Sequence, residues 1–149
     1  MIKITTTAFI FHKNKILFVL HKKLNKWMHV GGHVKKNEFF DEALKREILE
    51  EVNLNVEIIN LNLNLVSKPL KGMIFFKQPF FIHGIEKDGQ KKISIDYICL
   101  AKEPIQIKLQ SNELSDYKWL TLKDIDKLDT FDILKELTVK AFEEYRKLI

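Results

Sequence analysis

The amino-acid sequence predicts an α/β fold, in which a mixed β-sheet packs against helices. Runs rich in β-branched and aromatic residues occur in two groups, one in the first 21 residues and one between residues 55 and 101. Two amphipathic segments, one around residue 45 and one at the C-terminus, have helical periodicity. This order of strands, helix, strands and helix, without a repeat or a linker, predicts one domain over residues 1–149.

The first two strands are predicted at residues 3–11 and 15–21, which are rich in Ile, Thr, Phe and Val. Between them, the polar segment His12-Lys13-Asn14 is typical of a hairpin turn. Charged residues interrupt the apolar run before it reaches the length of a membrane span. We therefore expect neither a signal peptide nor a transmembrane helix, and no membrane association.

A helix is predicted from Glu38 to Val52, because good helix formers dominate this stretch. Asn37 is the candidate N-cap, and Asn53 suits the left-handed position that ends many helices. Residues 24–30 are predicted as a connection to the pair Gly31-Gly32, where the backbone is conformationally free and a ligand can approach closely.

The second half of the chain is predicted to contain three strands and a closing helix. The strand patterns lie at residues 55–66, 73–85 and 91–101, with a turn at residues 86–90 between the last two. Residues 67–72 and 111–116 are predicted loops, and residues 117–120 follow the second of them as a short extended run. Thr121 and Asp124 suit the start of a helical turn, and residues 131–148 form an amphipathic helix.

Composition and charge indicate a globular protein that attracts anions. The chain has 25 Lys and Arg against 20 Asp and Glu, a formal net charge of +5. This excess fits an anionic ligand such as a nucleotide, and also nucleic acid, although a solvated lysine-rich surface explains many of these charges. The single cysteine, Cys99, cannot form an internal disulfide, which favours a reducing compartment, with the cytoplasm as the default.

Three glutamates on the predicted helix form a candidate metal site. Glu47, Glu50 and Glu51 group on one arc beside the apolar stripe, where like charges repel and the C-terminal end of the helix dipole disfavours anions. A hard cation such as Mg²⁺ or Mn²⁺ would remove this repulsion. Arg46 can reach Glu42 or Glu50 and orient a carboxylate. Spacing alone leaves an acidic solvated face as the alternative.

The same residues match a known motif. Gly32, Glu38, Arg46, Glu47, Ile48, Glu50, Glu51 and Leu54 stand at the spacing of the Nudix box, G-x5-E-x7-R-E-U-x-E-E-x-G-U, where U is a bulky aliphatic residue. The chain therefore resembles the Nudix hydrolases of the MutT-like kind. Asn53 replaces the glycine of the box, and Asn tolerates the left-handed conformation required there.

The resemblance implies an α/β/α sandwich, with the mixed sheet between helices, and hydrolysis of a nucleoside diphosphate linked to a group X. It implies Mg²⁺ or Mn²⁺ bound by Glu47, Glu50, Glu51 and the Gly31 carbonyl, with one unspecified glutamate as the base. Glu38 and Arg46 resemble supports of the loop and helix. Glu113 stands where some members bring a late carboxylate to the metals. The partner implied is a small nucleotide, and a homodimer is compatible with the sequence.

Substrate choice stays open between two classes. Pro69, about fifteen residues after the box, resembles a proline of ADP-ribose-cleaving members, while the absence of a tyrosine in that region is unlike dinucleoside-polyphosphate hydrolases. Nucleoside triphosphates remain equal candidates. Aromatic residues that could stack on a base, each with core packing as the alternative, are Trp27, Phe75, Phe76, Phe80 and Phe81.

Three other interpretations have weaker support. A silent Nudix-fold nucleotide-binding or sensor module is the main alternative, but such a module is expected to lose box acids that this chain retains. Nucleic-acid binding rests on charge alone. A zinc pair of His29 and His33 has no third ligand of matching spacing.

Five lysines flank the glycine pair in sequence and are predicted to attract phosphate electrostatically. They are Lys22, Lys23, Lys26, Lys35 and Lys36.

Overall fold

Strands and helices follow one another in the predicted order. The structure, a computed structural model, describes residues 1–61 and 65–149. The strands are β1 (Lys3–His12), β2 (Lys15–His21), β3 (Lys26–Met28), β4 (Val30–His33), β5 (Val56–Ile58), β6 (Phe81–Lys87), β7 (Gln90–Ala101) and β8 (Leu114–Leu120). The helices are α1 (Phe40–Val52) and α2 (Asp132–Arg146), and a 3₁₀ helix spans Leu122–Lys127.

The strands form one mixed sheet around β1. The main order is β3-β2-β1-β7-β5, while β4 pairs with β1, β6 with β7 and β8 with β2. β1 and β7 run parallel from the pair Lys3 and Lys92 to the pair Phe11 and Leu100. The other pairings are antiparallel, so the prediction of a mixed sheet is confirmed.

Side-chain alternation in β1 builds a core on each face of the sheet. Ala8 and Ile10 pack in the same buried cluster as Leu44 and Ile48 of α1. The intervening Phe9 and Phe11 belong to a second cluster, which contains Phe142 of α2. Successive residues of a strand point to opposite faces, so one apolar run buries both sides. The α/β/α sandwich expected from the resemblance is thereby confirmed.

The N-terminal hairpin agrees closely with its prediction. β1 and β2 are joined by Lys13 and Asn14, whose φ angles are 47° and 64°. Two successive positive φ angles characterise the type I′ turn, which matches the twist of the flanking strands. The position of Asn here fits its tolerance of left-handed backbone.

The predicted connection at residues 24–30 was wrong, because it contains β3, and the glycine pair that follows lies in β4. Trp27 of β3 pairs with Leu20 of β2. Short strands of three or four residues carry too little local signal to be identified, and their pairing with β2 and β1 makes them extended.

Helix α1 begins two residues later than predicted. Asn37 has a φ of 63° and is not the N-cap; the helix is capped at Phe39, whose backbone N–H donates to the Glu42 carboxylate at 3.0 Å. The C-terminal prediction is confirmed, since Asn53 adopts left-handed angles (φ 61°, ψ 40°) and donates its N–H to the Leu49 carbonyl.

Three other boundaries differ from the predictions. Of the strand expected at 55–66, β5 occupies only Val56–Ile58, and residues 62–64 lie outside the described part of the chain. β6 begins at Phe81 instead of residue 73, and β8 begins at Leu114, inside the expected loop. The helical turn and the closing helix are confirmed. Within the described ranges, no helix has the length and apolarity needed to cross a membrane.

Candidate active site

The glycine pair lets α1 approach β4 closely. Gly31 and Gly32 lie opposite Thr7 and Thr6 of β1. A Cβ on Gly31 would overlap the Thr6 carbonyl, and a Cβ on Gly32 would overlap the Glu47 carboxylate. The sequence predicted close approach of a ligand at this pair, which stays a prediction; the group that lies against Gly32 is the Glu47 carboxylate. Glycine is required here for space, so that an acid of α1 rests directly on a strand backbone.

Arg46 joins the glutamates of α1 to the segment that precedes the helix. Its Nε and NH2 donate to the two oxygens of Glu38 at 2.6 and 2.9 Å, a two-pronged contact. Its NH1 donates to Glu47 at 2.9 Å and to Glu50 at 3.2 Å. NH2 also donates to the His33 carbonyl at 2.9 Å, which ties the helix to the end of β4.

The predicted contact of Arg46 with Glu50 is confirmed, while the alternative contact with Glu42 was wrong. Glu42 is used at the helix N-terminus, where it accepts the Phe39 N–H. Glu38 takes its place, because the left-handed Asn37 turns the chain back toward Arg46. This arginine contact lowers the pKa of Glu38 to about 2.

Glu51 has the most perturbed carboxyl of the helix. Burial raises its pKa to about 8, and the negative charge of Glu47, a hydrogen bond with Glu47, and the charges of Glu113 and Glu50 add to the effect. A carboxyl whose pKa is shifted toward 7 by burial and by neighbouring charges is typical of functional sites. It also shows that the four acids lie close enough to interact.

The carboxylates fit a divalent metal chemically, but they are not gathered around one point. In the ranges 1–61 and 65–149, no group of three or more His, Cys, Asp and Glu side chains forms a ready metal cluster. Arg46 instead acts as the positive charge for Glu47 and Glu50. The donors are all oxygens, which suits Mg²⁺ or Mn²⁺ rather than zinc, and the raised pKa of Glu51 reports a repulsion that a cation would relieve.

We expect the Glu51 carboxyl to lower the stability of the metal-free protein progressively as the pH rises from about 4.5 to about 8. The folded-state pKa of Glu51 lies above its ordinary value of 4.5, so its contribution is complete below pH 4.5 and is lost as the pH rises through 8. After allowance for solvent screening, the loss is about 2 kcal/mol. The measurement is thermal unfolding in EDTA across this range for the unchanged protein and Glu51→Gln.

The difference between these two curves cancels other titrating groups, among them His29. The stability of Glu51→Gln minus that of the unchanged protein should increase as the pH rises toward 8. Saturating Mg²⁺ should reverse the order at high pH, since it binds the ionised carboxylate. If the two curves of stability against pH ran parallel in EDTA, Glu51 would not be buried among the other acids as described.

Glu113 lies near the acids of α1, although 62 residues separate it in sequence from Glu51. Its charge contributes to the raised pKa of Glu51, and its carboxylate is 3.9 Å from His21 Nε2. The Glu113 carbonyl accepts the Lys22 N–H at 2.8 Å, which holds the loop beside β2. Glu113, Gly31 and Gly32 all line one cleft with a volume of about 410 Å³.

The other residues considered from sequence divide between core and surface. Trp27 is 8% exposed, and the Lys118 ammonium lies 4.7 Å from its ring centroid. His29 is buried against Phe9 and shares a hydrogen bond of 3.1 Å with Thr138, and burial lowers its pKa to about 3. This histidine is therefore a core residue, which opposes the zinc interpretation. Four of the five lysines predicted to steer phosphate have exposed side chains, namely Lys22, Lys23, Lys35 and Lys36, while Lys26 forms an ion pair with Asp129.

The aromatic candidates occupy different places. Phe80 packs on Phe9 in the core, and Phe76 contacts Phe39 and Phe40 beside α1. The two exposed rings are Phe75, 46% exposed, and Phe81, 39% exposed.

Sequence reasoning missed polar residues of β7 and β6 that line the cleft. Ser94 and Asp96 are buried, and His83 of β6 lies opposite Ser94. The available signal was a carboxylate within the apolar run ISIDYICL, two residues from a serine and thus on the same strand face. A buried carboxylate needs a specific reason.

The comparisons with known proteins agree with this geometry. The model of the NUDIX domain family matches residues 1–142. An RNA pyrophosphohydrolase of Sulfurovum sp. (strain NBC37-1) is 29% identical over 139 residues, which are 89% of this chain and 78% of that protein.

Solved structures share the fold over nearly their whole length. A hydrolase of the NUDIX family from Clostridium perfringens is 25% identical with a TM-score of 0.76, covering 96% of this chain and 97% of that one. A C. elegans Ap4A hydrolase is 18% identical with a TM-score of 0.74, covering 99% and 100%. The chain therefore belongs to the NUDIX domain family and is a Nudix hydrolase.

Proposed function

We propose that this protein is a divalent-metal-dependent pyrophosphohydrolase, which cleaves a phosphate anhydride in a nucleoside diphosphate linked to a group X. The observation that carries the proposal is the set of acids on α1 beside β4, where Glu51 has a pKa raised to about 8. Such a set suits a cation and an activated water together.

In this proposal, Glu47, Glu50 and Glu51 hold Mg²⁺ or Mn²⁺, and the Gly31 carbonyl is a further ligand. When bound, the metal neutralises the diphosphate and acidifies a water molecule. One of the three glutamates would accept the proton of the attacking water. Glu47, Glu50 and Glu51 are equal candidates for this role.

Arg46 and Glu113 have different proposed roles. Arg46 orients Glu47 and Glu50 and keeps α1 against β4, as its contacts with both acids and with the His33 carbonyl support. Glu113 approaches from the loop before β8 and adds a carboxylate on the substrate side, which its place in the cleft and its charge effect on Glu51 support.

For the substrate, nucleoside triphosphates and ADP-ribose remain the two candidate classes. Pro69 lies in an exposed loop, which weakens its value as a mark of ADP-ribose. The name of the Sulfurovum relative, an RNA pyrophosphohydrolase, adds a phosphate anhydride carried by RNA as a third candidate. A small nucleotide as partner, a homodimer and the cytoplasm stay predictions, the last in keeping with the buried free thiol of Cys99.

A substrate panel tests the proposal. Phosphate or nucleotide release is measured from nucleoside triphosphates, ADP-ribose, sugar nucleotides, dinucleoside polyphosphates and a 5′-triphosphorylated RNA, each with Mg²⁺, Mn²⁺ or EDTA. We expect turnover of at least one substrate with metal and none in EDTA. Tight nucleotide binding without turnover would favour the sensor module instead. Turnover undiminished in EDTA would contradict the metal dependence.

A further inference from the structure

The cleft beside the acids extends across the α2 side of the sheet. Besides Gly31, Gly32 and Glu113, it is lined by apolar side chains such as Phe9 and Leu134 and by polar side chains of β1 and β7. Those polar side chains are Thr5, Thr7, Lys92, Ser94 and Asp96. The proposed site of hydrolysis therefore shares Gly31 and Glu113 with a chamber of about 410 Å³, a size suited to part of a nucleotide.

Asp96 is the unusual residue in this chamber, because it is a carboxylate only 2% exposed. The Ser94 hydroxyl donates to its Oδ1 at 2.7 Å, and His83 Nδ1 lies 3.4 Å from its Oδ2. Within the described part of the chain, His83 is the only basic side chain with a nitrogen within 4.0 Å of this carboxylate. Burial raises the pKa of Asp96, while Ser94 and His83 oppose that effect and favour the ionised form.

This arrangement leaves hydrogen-bonding capacity unused. An ionised carboxylate offers about four acceptor positions, and Ser94 fills one at Oδ1. His83 Nδ1 is buried and makes no hydrogen bond to any described residue, in spite of its approach to Oδ2. Buried polar groups are normally satisfied, so an incompletely satisfied pair facing a cleft indicates a missing ligand.

An aromatic surface lies beside the carboxylate. Phe81 of β6 is paired directly with Asp96 of β7, so the two side chains share a sheet face. The rings of Phe81 and His83 stack with their centroids 5.6 Å apart, and Phe81 is 39% exposed. The exposed ring of Phe81, next to an acceptor, suits a flat heterocycle whose edge donates hydrogen bonds.

We propose that this chamber binds the nucleobase of the substrate, and that Asp96 selects a guanine-type edge with adjacent N–H donors. The inference rests on the proposed function for the identity of the substrate as a nucleotide. A carboxylate accepts two parallel N–H bonds from such an edge. Adenine and hypoxanthine do not present this pair of donors, and binding them leaves the buried acceptor less satisfied.

The inference is tested by comparing guanosine and inosine triphosphates, which differ only in the 2-amino group. We expect kcat/KM to favour the guanosine substrate by about 10- to 100-fold, since a site built for a hydrogen bond rejects the analogue that lacks it. Asp96→Asn should reduce this ratio to within about threefold of unity. Asp88→Asn, in the exposed turn between β6 and β7, is the matched control and should keep the ratio.

Binding in EDTA separates this inference from the proposed hydrolysis. Calorimetry with guanosine and inosine monophosphates requires no turnover, and it should show the same preference and its loss in Asp96→Asn. Failure of every triphosphate to be cleaved would refute that part of the proposed function and leave this binding test intact. Equal binding of the two monophosphates, or a preference unchanged in Asp96→Asn, would overturn the inference.

Circular dichroism verifies that Asp96→Asn is folded. If it is not, Ser94→Ala serves instead, because it removes the hydroxyl that orients Asp96. The preference should then fall at least about threefold. An unchanged preference in folded Ser94→Ala would overturn the role of the carboxylate.

Discussion

Replacing Glu51 with glutamine is expected to lower kcat/KM by about 10³-fold for every substrate that the protein hydrolyses. The amide keeps the size of the side chain but neither accepts a proton nor carries the charge that binds a cation. The effect should fall mainly on kcat, measured by phosphate release with saturating Mg²⁺. Without metal, the same variant should be more stable at pH 8, because the perturbed carboxyl is gone.

Glu57→Gln is the matched control for this variant. Glu57 is exposed on β5, outside the acid set of α1, and its loss should change neither kcat/KM nor the unfolding temperature appreciably. If Glu51→Gln kept its activity within tenfold of the unchanged protein, the assignment of Glu51 to the reaction would be wrong. Opposite effects on activity and metal-free stability would show that the loss of activity is not a loss of folding.

Replacing Arg46 with alanine is expected to reduce both stability and activity. Its guanidinium contacts Glu38, Glu47 and Glu50, and it donates to a carbonyl at the end of β4. Removal leaves partly buried carboxylates facing one another, so we expect Tm to fall by about 5 °C and kcat/KM by about 10²-fold. Thermal unfolding and initial rates over a range of Mg²⁺ concentrations measure the two effects.

Arg46→Lys distinguishes charge from geometry. Lysine supplies one compact charge and does not reproduce the two-pronged contact with Glu38 together with the bond to the His33 carbonyl. Compared with Arg46→Ala, the Arg46→Lys variant should recover part of the lost Tm and little of the lost kcat/KM. If both variants behaved as the unchanged protein does, Arg46 would be a surface ion pair of small energetic value.

Much of the fold was predictable because it rests on local patterns. The hairpin of β1 and β2 has alternating side chains and a turn with two left-handed residues, and both features are local. Helix α1 has its apolar stripe and its Asn53 terminus. The short strands β3 and β4 were not predictable, since three or four residues become extended only through their neighbours.

The candidate site likewise has some features that local sequence predicts and others that depend on the tertiary structure. The spacing of acids along α1 is a local property and suggests a metal site directly, whereas Arg46 has partners both inside and outside the helix. Its contact with Glu50 follows from helical spacing, but the contact with Glu38 depends on the left-handed turn at Asn37. The approach of Glu113 to Glu51 depends on the pairing of β8 with β2.

The sequence by itself determined the order of elements, the helix with its three glutamates and, through the motif, the class of reaction. Each of these features is read from residues that are near one another in the sequence: the three glutamates lie within about two helical turns, and the whole motif lies within residues 32–54. The tertiary structure alone decided how the Glu51 carboxyl is buried, why Gly32 must lack a side chain, and which strand face carries Asp96 toward the cleft. Burial and close approach arise from segments distant in sequence, so only the packed sheet and helices reveal them.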